Sequence, residues 1–318
     1  MTTATFRRTV YVSVCAAVCW TMTSAQQQQN PATFRVRTDV VSVDVLVRDR
    51  SKPVPGLTAA DFRLTDSGVP QDVEVLAADE VPIDLTLVLD VSGSVARLLE
   101  EFKDNIRQIA KLLRPVDRIR LISFSNSVQQ IFPFSAPNTK LPLDRLTSEG
   151  GTALDDALLF GLAHKAAEGR RHLVVAFTDG GENASIMNSN MLVSAAERAD
   201  ALLHLVISDA VTVSVTTIQI GPNATGLTST PTITSFGNNE LLAPLRTMAE
   251  ATGGEMHVSQ KASKLVDGFK LVFQTFRTGY VLRYSPRGVQ MSGWHDITVE
   301  VTRPGRFEVL ARKGYPGG

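Results

Sequence analysis

A carboxylate and two hydroxyl groups occupy alternate positions in the segment Asp90-Val91-Ser92-Gly93-Ser94. This segment comes directly after Leu85–Leu89, a largely apolar run that is typical of a buried strand. Oxygen donors spaced in this way at the end of a strand can converge on a small, hard cation. The segment therefore predicts one part of a metal-binding site.

Two later loops carry further oxygen donors after predicted elements. Thr152 follows Gly150-Gly151, and Asp179 follows the apolar strand pattern His172–Phe177. None of these donors is His or Cys, which argues against zinc and favours Mg²⁺, with Mn²⁺ or Ca²⁺ as alternatives. Two carboxylates balance a divalent charge, and hydroxyls add ligands without adding charge, so the ion can still attract another anion. We expect one metal site with an open position, formed by Asp90, Ser92, Ser94, Thr152 and Asp179.

Each of these residues also has an ordinary structural interpretation. Ser92 or Ser94 is well placed to cap a helix that starts near Val95, and Thr152 to cap one that starts at Ala153. Asp179 precedes two glycines, as a turn residue does. These interpretations explain the residues singly, but they do not explain why all three loops follow successive elements in the order that a shared site requires.

The loops need a scaffold, and the pattern between residues 82 and 278 supplies one. Short apolar runs alternate with segments of helical periodicity, which predicts a doubly wound, mostly parallel α/β sheet covered on both faces. Such sheets bind ligands at the carboxyl ends of their strands. The predicted strands are Ile83–Leu89, Arg118–Phe124, Gln129–Phe134, His172–Phe177, Leu202–Ile207 and Met256–Ser259. The predicted helices are Val95–Leu113, Ala153–Ala167, Met191–Ala199, Leu241–Thr252 and Ala262–Phe276.

The flanking segments, residues 32–80 and 279–318, have strand patterns instead. Each segment has about three strands, too few for a core of its own. We expect them to pair into one small all-β domain in which the α/β unit, residues 82–278, is inserted, although two independent β pieces remain an alternative. The predicted strands include residues 34–49, Gln71–Leu76, Tyr280–Tyr284, His295–Val301 and Phe307–Ala311.

Residues 211–240 form a further segment that is rich in Ser, Thr, Gly and Asn and almost without charge. A loop of this length without regular structure is uncommon in a compact domain and tends to be functional. We interpret it as a surface insertion near the ligand face; the alternative is that residues 211–220 form a hairpin strand instead.

Composition narrows the class of protein. The chain has 318 residues, of which 43% are hydrophobic, and equal numbers of basic and acidic residues, so a nucleic-acid binder is not expected. Residues 1–25 resemble a signal peptide: Arg7 and Arg8 precede the apolar stretch from Val10 to Trp20, and Thr23–Ala25 fits a cleavage site. We predict an exported protein, periplasmic or extracellular, with no stable membrane span after cleavage. An uncleaved N-terminal anchor, or a lipidated Cys19, is the alternative.

The five oxygen donors also carry a family resemblance. Asp90-x-Ser92-x-Ser94, then Thr152, then Asp179 within Phe177-Thr178-Asp179-Gly180 resembles the metal-ion-dependent adhesion site of von Willebrand factor A (VWA) domains. The resemblance implies a Rossmann-like doubly wound fold and a metal, usually Mg²⁺, that binds a protein ligand through an Asp or Glu carboxylate. It also implies that Ser92, Ser94 and Thr152 contact the ion directly, and that Asp90 and Asp179 hold it directly or through water.

The flanking segments, together with one stretch inside the α/β unit, resemble a bacterial family of secreted VWFA-related proteins, whose biological role is poorly defined. The similar stretches are Asp61-Phe62, Asp66-Ser67-Gly68, Thr252-Gly253-Gly254, Tyr280–Pro286 and Arg312–Tyr315.

These patterns together predict a secreted, divalent-metal-dependent module for protein binding or adhesion, without catalysis. A structural subunit of an envelope or surface assembly, with a stabilising metal, is the alternative. A Mg²⁺-dependent phosphohydrolase is less favoured, because the second acid that such chemistry needs is replaced by Ser92. The five histidines belong to no catalytic motif, and His172 and His204, which lie in apolar strands, are expected to be satisfied core or strand-end residues.

Overall fold

Strands with side chains buried on both faces form the centre of the fold, as expected for a sheet covered by helices on each side. The computed structural model describes residues 40–164, 167–187, 189–208, 215–218, 229–232, 242–259 and 265–318. The predicted signal peptide and most of the 211–240 insertion lie outside these residues. Every residue of Ile83–Asp90 and of Arg171–Thr178 is buried.

The central sheet has six strands in the order β13-β10-β9-β6-β7-β8, all parallel except β8, which is antiparallel to β7. The chain passes from β6 to β7 on one side and returns to β9 on the other, so the topological switch point lies beside the end of β6, where Asp90 is found. The strands are β6 (Ile83–Asp90), β7 (Arg118–Phe124), β8 (Val128–Ser135), β9 (Arg171–Thr178), β10 (Leu202–Ser208) and β13 (Met256–Ser259).

Helices cover both faces of this sheet and form two separate cores. Apolar residues of α1 and α5 pack on one face, and those of α2, α3 and α4 pack on the other. The predicted α/β architecture is therefore present. The helices are α1 (Leu99–Leu112), α2 (Leu154–Leu162), α3 (Ser189–Arg198), α4 (Ala243–Ala251) and α5 (Leu265–Thr278).

Strands from the two flanking segments pair with each other across more than 200 residues of sequence. Val41–Asp49 is antiparallel to Tyr280–Tyr284, and Phe62–Asp66 is antiparallel to Gly293–Val301. One sheet has the order β16-β1-β14-β5 with β2 beside β1, and the other has the order β17-β15-β3-β4. Their strands are β1 (Val41–Asp49), β2 (Lys52–Pro53), β3 (Phe62–Asp66), β4 (Val69–Gln71), β5 (Glu74–Ala77), β14 (Tyr280–Tyr284), β15 (Gly293–Val301), β16 (Glu308–Ala311) and β17 (Gly314–Gly317).

Several boundaries differ from the sequence-based expectation. Gln71–Leu76 is not one strand, because β4 and β5 belong to different sheets. The first predicted helix begins with a 3₁₀ segment, Gly93–Leu98, and becomes α-helical only at Leu99. Within the insertion, β11 (Val215–Ile218) and β12 (Ser229–Thr232) form an antiparallel pair.

The second predicted helix also ends early, at Leu162 rather than Ala167. The carbonyl oxygen of Gly161 accepts a hydrogen bond at 3.0 Å from Nη2 of Arg120, a β7 side chain. In a longer helix this carbonyl would accept a hydrogen bond from a backbone N–H of the next turn. Here the side chain of Arg120 is the donor instead.

A buried carboxylate holds the amino-terminal ends of the three central strands together. Asp84 in β6 is fully buried and forms ion pairs with Arg118 at the start of β7 and with Arg170 just before β9. Burial acts to raise the pKa of Asp84, but the hydrogen bonds and charges of the two arginines outweigh it and lower the pKa. The opposite ends of the same strands carry the candidate site, so this cluster helps to set the relative positions of its loops.

Candidate metal centre

Asp90, the last residue of β6, is held in place by the neighbouring strand and by its own loop. It is 1% exposed. Its Oδ1 accepts a hydrogen bond from the backbone N–H of Ser92 at 2.9 Å, and its Oδ2 accepts one from Oγ1 of Thr178 at 2.8 Å. Because Thr178 ends β9, these bonds orient the carboxylate at the junction of the two central strands.

The electrostatic environment of Asp90 suits a cation. Burial is the main reason that the pKa of Asp90 is raised, and the negative charge of Asp179 adds to it, while hydrogen bonds from Ser92 and Thr178 act in the opposite direction. Within the described part of the chain, no basic side chain forms an ion pair with Asp90. A buried carboxylate next to a second one is costly to keep ionised, and a bound divalent ion removes that cost.

The loop before Thr152 is hydrogen-bonded to the Asp90–Ser94 segment. The N–H of Gly93 donates to the carbonyl oxygen of Gly150 at 3.2 Å, and the N–H of Glu149 donates to that of Val91 at 3.2 Å. The hydroxyl of Ser148 donates to the carbonyl oxygen of Ser92 at 3.0 Å. These contacts bring the Asp90–Ser94 segment and the Thr152 loop together.

Gly150 is required for this close approach. Its φ is +64°, in the left-handed region, and a Cβ atom at this position would lie 1.9 Å from Nδ2 of Asn126. The same Asn126 side chain accepts a hydrogen bond at 2.6 Å from the N–H of Gly151 through Oδ1. A side chain at residue 150 would therefore push the second loop away from its support.

The third loop meets the second at Gly181. A Cβ atom built there would lie 3.0 Å from Oδ1 of Asp179 and 3.9 Å from Oγ1 of Thr152, so both oxygen atoms face the same small space. The N–H of Thr152 donates to Oδ1 of Asn183 at 2.9 Å, and the N–H of Asn183 donates to the carbonyl oxygen of Thr152 at 3.0 Å. The structure thus brings together the loops that contain Asp90, Thr152 and Asp179.

The structure bears differently on the capping and turn roles considered for Ser92, Thr152 and Asp179. Ser92 occupies the N-cap position of the 3₁₀ segment without a side-chain capping bond, and Ala153 rather than Thr152 is the N-cap of α2. Asp179 does stabilise its own turn, since Oδ1 accepts from the N–H of Gly181 at 2.9 Å. Ser94 lies in the 3₁₀ segment, and its side chain is outside the described part of the chain.

Sequence reasoning missed the residues that support these loops. Thr178, Asn126 and Asn183 make the bonds described above, and Glu182 accepts a hydrogen bond at 2.9 Å from the N–H of Asp155 in the first turn of α2. Thr178, Glu182 and Asn183 lie within four residues of Asp179 in the sequence, and that proximity is the signal that could have identified them. Asn126 is 24 residues from Gly150, and no local sequence signal points to it.

The loop after Asp179 exposes an apolar side chain to solvent, and its backbone is hydrogen-bonded to α2. Ile186 is 95% exposed, and the carboxylate of Asp156 in α2 accepts hydrogen bonds from the N–H groups of Ile186 and Met187 at 3.0 and 2.9 Å. We expect Asp156→Ala to speed hydrogen exchange of these two amides by roughly 10- to 100-fold, since bonds to a charged acceptor stabilise by about 1.5–3 kcal/mol. Asp104→Ala, in an exposed pair with Arg107 on α1, is the control. Unchanged exchange at both amides would contradict this role.

The von Willebrand factor type A domain family has a model that matches residues 84–267, more than half of the chain. The chain belongs to this family. The match runs from β6 into α5 and includes all three loops of the candidate centre. VWA domains are generally interaction modules rather than enzymes and commonly bind a divalent metal, so membership supports a protein-interaction or adhesion module.

Comparison with solved structures finds several similar chains. A von Willebrand factor type A protein from Catenulispora acidiphila is 11% identical, with 84% of this chain and 75% of that chain covered and a TM-score of 0.47. An aerotolerance-related membrane protein from Bacteroides fragilis is 16% identical (61% and 98% covered, TM-score 0.42). The PilB minor pilin from Streptococcus sanguinis is 13% identical (62% and 62% covered, TM-score 0.40).

No curated protein matches the chain. Among the residues that the structure describes, no helix is long and apolar enough to cross a membrane.

Proposed function

We propose that this VWA protein is a secreted module that binds a partner protein through a divalent metal ion, most simply Mg²⁺, without catalysing a reaction. Asp90, Ser92, Ser94, Thr152 and Asp179 would hold the ion, and an Asp or Glu carboxylate of the partner would complete its coordination. The observation that carries the proposal is the buried Asp90 carboxylate, which lies where three polar loops converge and has no basic partner in the described residues.

The charges of these side chains explain why a partner carboxylate would be accepted. Asp90 and Asp179 together neutralise a divalent ion, whereas the hydroxyls of Ser92, Ser94 and Thr152 bring no charge. A third carboxylate then meets a neutral cluster rather than an anionic one. Mg²⁺ in proteins is commonly bound by one or two carboxylates together with exchangeable water, so a site of this composition leaves a position for the partner.

The loops are joined by direct hydrogen bonds, which favours a binding role for the ion over a purely structural one. Gly93 bonds to Gly150, Ser148 to Ser92, and Thr152 to Asn183. A cluster held by these bonds does not require an ion to keep its shape. We therefore expect chelation to reduce partner affinity far more than stability, whereas a structural ion would do the reverse.

Export is the second part of the proposal, and it depends on the sequence. Loss of residues 1–25 removes Arg7 and Arg8 and no acidic residue, which leaves 30 basic and 32 acidic residues and a net charge of −2. We propose that the protein acts in the periplasm or outside the cell, where it meets its partner.

Metal titration of the exported protein tests the function. The protein is dialysed against EDTA and then titrated with Mg²⁺ by calorimetry, and partner capture from the native exported fraction is compared in Mg²⁺ and in EDTA. We expect about one Mg²⁺ per chain, capture that depends on Mg²⁺, and circular dichroism that is unchanged by EDTA. Capture of the same partner in EDTA and Mg²⁺ alike would overturn the metal-dependent mechanism.

A further inference from the structure

A second group of potential metal ligands lies at the far edge of the central sheet. His204 is in β10, His257 is in the edge strand β13, and Glu255 directly precedes β13. Val206 is paired with His257 in the parallel register, and side chains two residues apart share a face of a strand. The three side chains accordingly lie on one face, with their ligand atoms all within 4.8 Å of one another. β9 lies between this group and β6, which carries the Asp90 centre.

The two histidines contain ring nitrogens without a partner. His204 is 3% exposed, and neither its Nδ1 nor Nε2 of His257 has a hydrogen bond within the described part of the chain. The rings are stacked with their centroids 5.9 Å apart and their planes within 4° of parallel. His204 was expected to be a satisfied core residue, and for Nδ1 that expectation is wrong. A buried polar atom without a partner costs about 1–3 kcal/mol, so this group requires a ligand or another explanation.

The charge states of the three side chains suit metal coordination. Burial lowers the pKa of His204 to about 3 and also lowers the pKa of His257, so both imidazoles are neutral near pH 7. Burial acts to raise the pKa of Glu255, but hydrogen bonds from Arg48 outweigh it and lower the pKa. The group therefore offers two neutral nitrogen donors and one carboxylate.

Arg48 of β1 competes for that carboxylate. Its Nη1 and Nη2 donate to Oε1 and Oε2 of Glu255 at 2.6 and 2.5 Å. An ionised carboxylate has about four lone-pair positions, so a two-pronged guanidinium leaves capacity for an ion. The pair as a whole is neutral, and sites with three neutral imidazoles bind zinc without any carboxylate. Arg48 would thus orient the carboxylate in the way that supporting residues orient metal ligands.

We propose that His204, Glu255 and His257 form a second metal site, for a transition-metal ion of the Zn²⁺ class. Imidazole nitrogen favours Zn²⁺ over Mg²⁺, whereas the Asp90 centre offers only oxygen, so the two sites select different ions. Three protein ligands leave a fourth position for water or another donor. The ion would bind where β1 of the all-β part meets the α/β sheet, and its binding would stabilise that junction.

The proposal is tested by titrating the EDTA-dialysed protein with Zn²⁺ while excess Mg²⁺ occupies the oxygen site. In a second experiment Co²⁺ replaces Zn²⁺, and its visible absorption reports the geometry of its ligands. We expect about one tightly bound Zn²⁺ per chain and the intense visible absorption of tetrahedral Co²⁺. His257→Gln and Glu255→Gln should each weaken Zn²⁺ binding by roughly 100-fold or more and abolish the Co²⁺ band, since even supporting residues contribute 10–100-fold.

Two variants separate this site from others. His164→Gln is the matched control. Among the described residues, Nε2 of His164 is also buried without a partner, and the centroid of its ring lies 5.4 Å from that of His172. This pair of histidines belongs to no group of three potential ligands among the described residues. Asp179→Ala should leave Zn²⁺ binding intact. The proposal is overturned if the wild type binds no Zn²⁺, if His257→Gln binds it as tightly as the wild type, or if Asp179→Ala abolishes binding. If His257→Gln does not fold, the Co²⁺ spectrum of the wild type decides: a weak spectrum typical of octahedral Co²⁺ would overturn the proposal.

Discussion

Asp90→Asn is expected to abolish Mg²⁺ binding, with a loss of affinity of about 100-fold or more, because metal affinity in oxygen sites depends on ligand charge. The variant keeps the size of the side chain and one acceptor oxygen, so the bond from Thr178 or from the N–H of Ser92 can persist. It leaves Asp179 as the only negatively charged side chain among the five proposed ligands. Partner capture in Mg²⁺ should be lost in parallel.

Without metal, the same substitution should lower the free energy of unfolding by no more than about 1 kcal/mol, and it can raise it. The pKa of Asp90 is raised in the folded protein, chiefly by burial, so the folded state binds this proton more tightly than the unfolded state. The cost of the ionised group is therefore present at neutral pH and disappears as the pH falls below the usual carboxyl range. The difference in stability between variant and wild type should narrow accordingly in acid.

Calorimetric Mg²⁺ titration and urea unfolding in EDTA measure these two effects separately. Asp104→Ala, an exposed acid on α1, should change neither. Mg²⁺ affinity that survives both Asp90→Asn and Asp179→Ala would refute the assignment of the centre. Lost affinity together with a large loss of stability in EDTA would instead mean that Asp90 has a structural role.

Asp84→Ala is expected to lower the free energy of unfolding by about 3–5 kcal/mol, the usual loss when one partner of a buried ion pair is removed. Asp84 is fully buried and pairs with Arg118 and Arg170, which are 39% and 18% exposed, so the variant leaves two cations near the ends of the central strands without their anion. The same change removes bonds that align β6, β7 and β9.

Urea unfolding at neutral pH measures this loss, and Glu300→Ala is the control. Glu300 pairs with Arg63 between two strands as well, but both side chains are more than half exposed, so removal should cost about 1 kcal/mol or less. The pKa of Asp84 is lowered in the folded state, so its contribution is present above the usual carboxyl pKa of about 3.9 and is lost as the pH falls. A neutral-pH loss no greater than that of Glu300→Ala would show that the cluster is not needed.

Local sequence patterns predicted most of the secondary structure because helices and buried strands have distinct apolar periodicities. The predicted strand Ile83–Leu89 differs from the observed Ile83–Asp90 by a single residue. The early end of α2 was not predicted in this way, and the carbonyl of Gly161 at that end is hydrogen-bonded to Arg120 from a distant strand. The division of Gln71–Leu76 between two sheets likewise depends on the partners that each half finds.

The candidate centre was identified from sequence because its residues are of a distinctive type, and each follows an element whose end is visible in the pattern. Asp90, Thr152 and Asp179 could be assigned to one edge of a parallel sheet before any geometry was known, although their role as metal ligands remains a prediction. The supporting role of Asn126 could not be assigned, because Asn126 is distant in sequence from every predicted ligand and short polar residues are common in loops.

Short segments of the chain are enough to predict the α/β class, the order of most strands and helices and the five proposed oxygen ligands, because these depend on periodicity and residue type. The pairing of distant strands, such as β1 with β14, and the side chains that meet across them depend on the tertiary fold. His204 and Glu255 are about 50 residues apart, and Arg48 is a further 156 residues from His204. Contacts of this kind depend on the relative register of packed strands, and no local pattern encodes it.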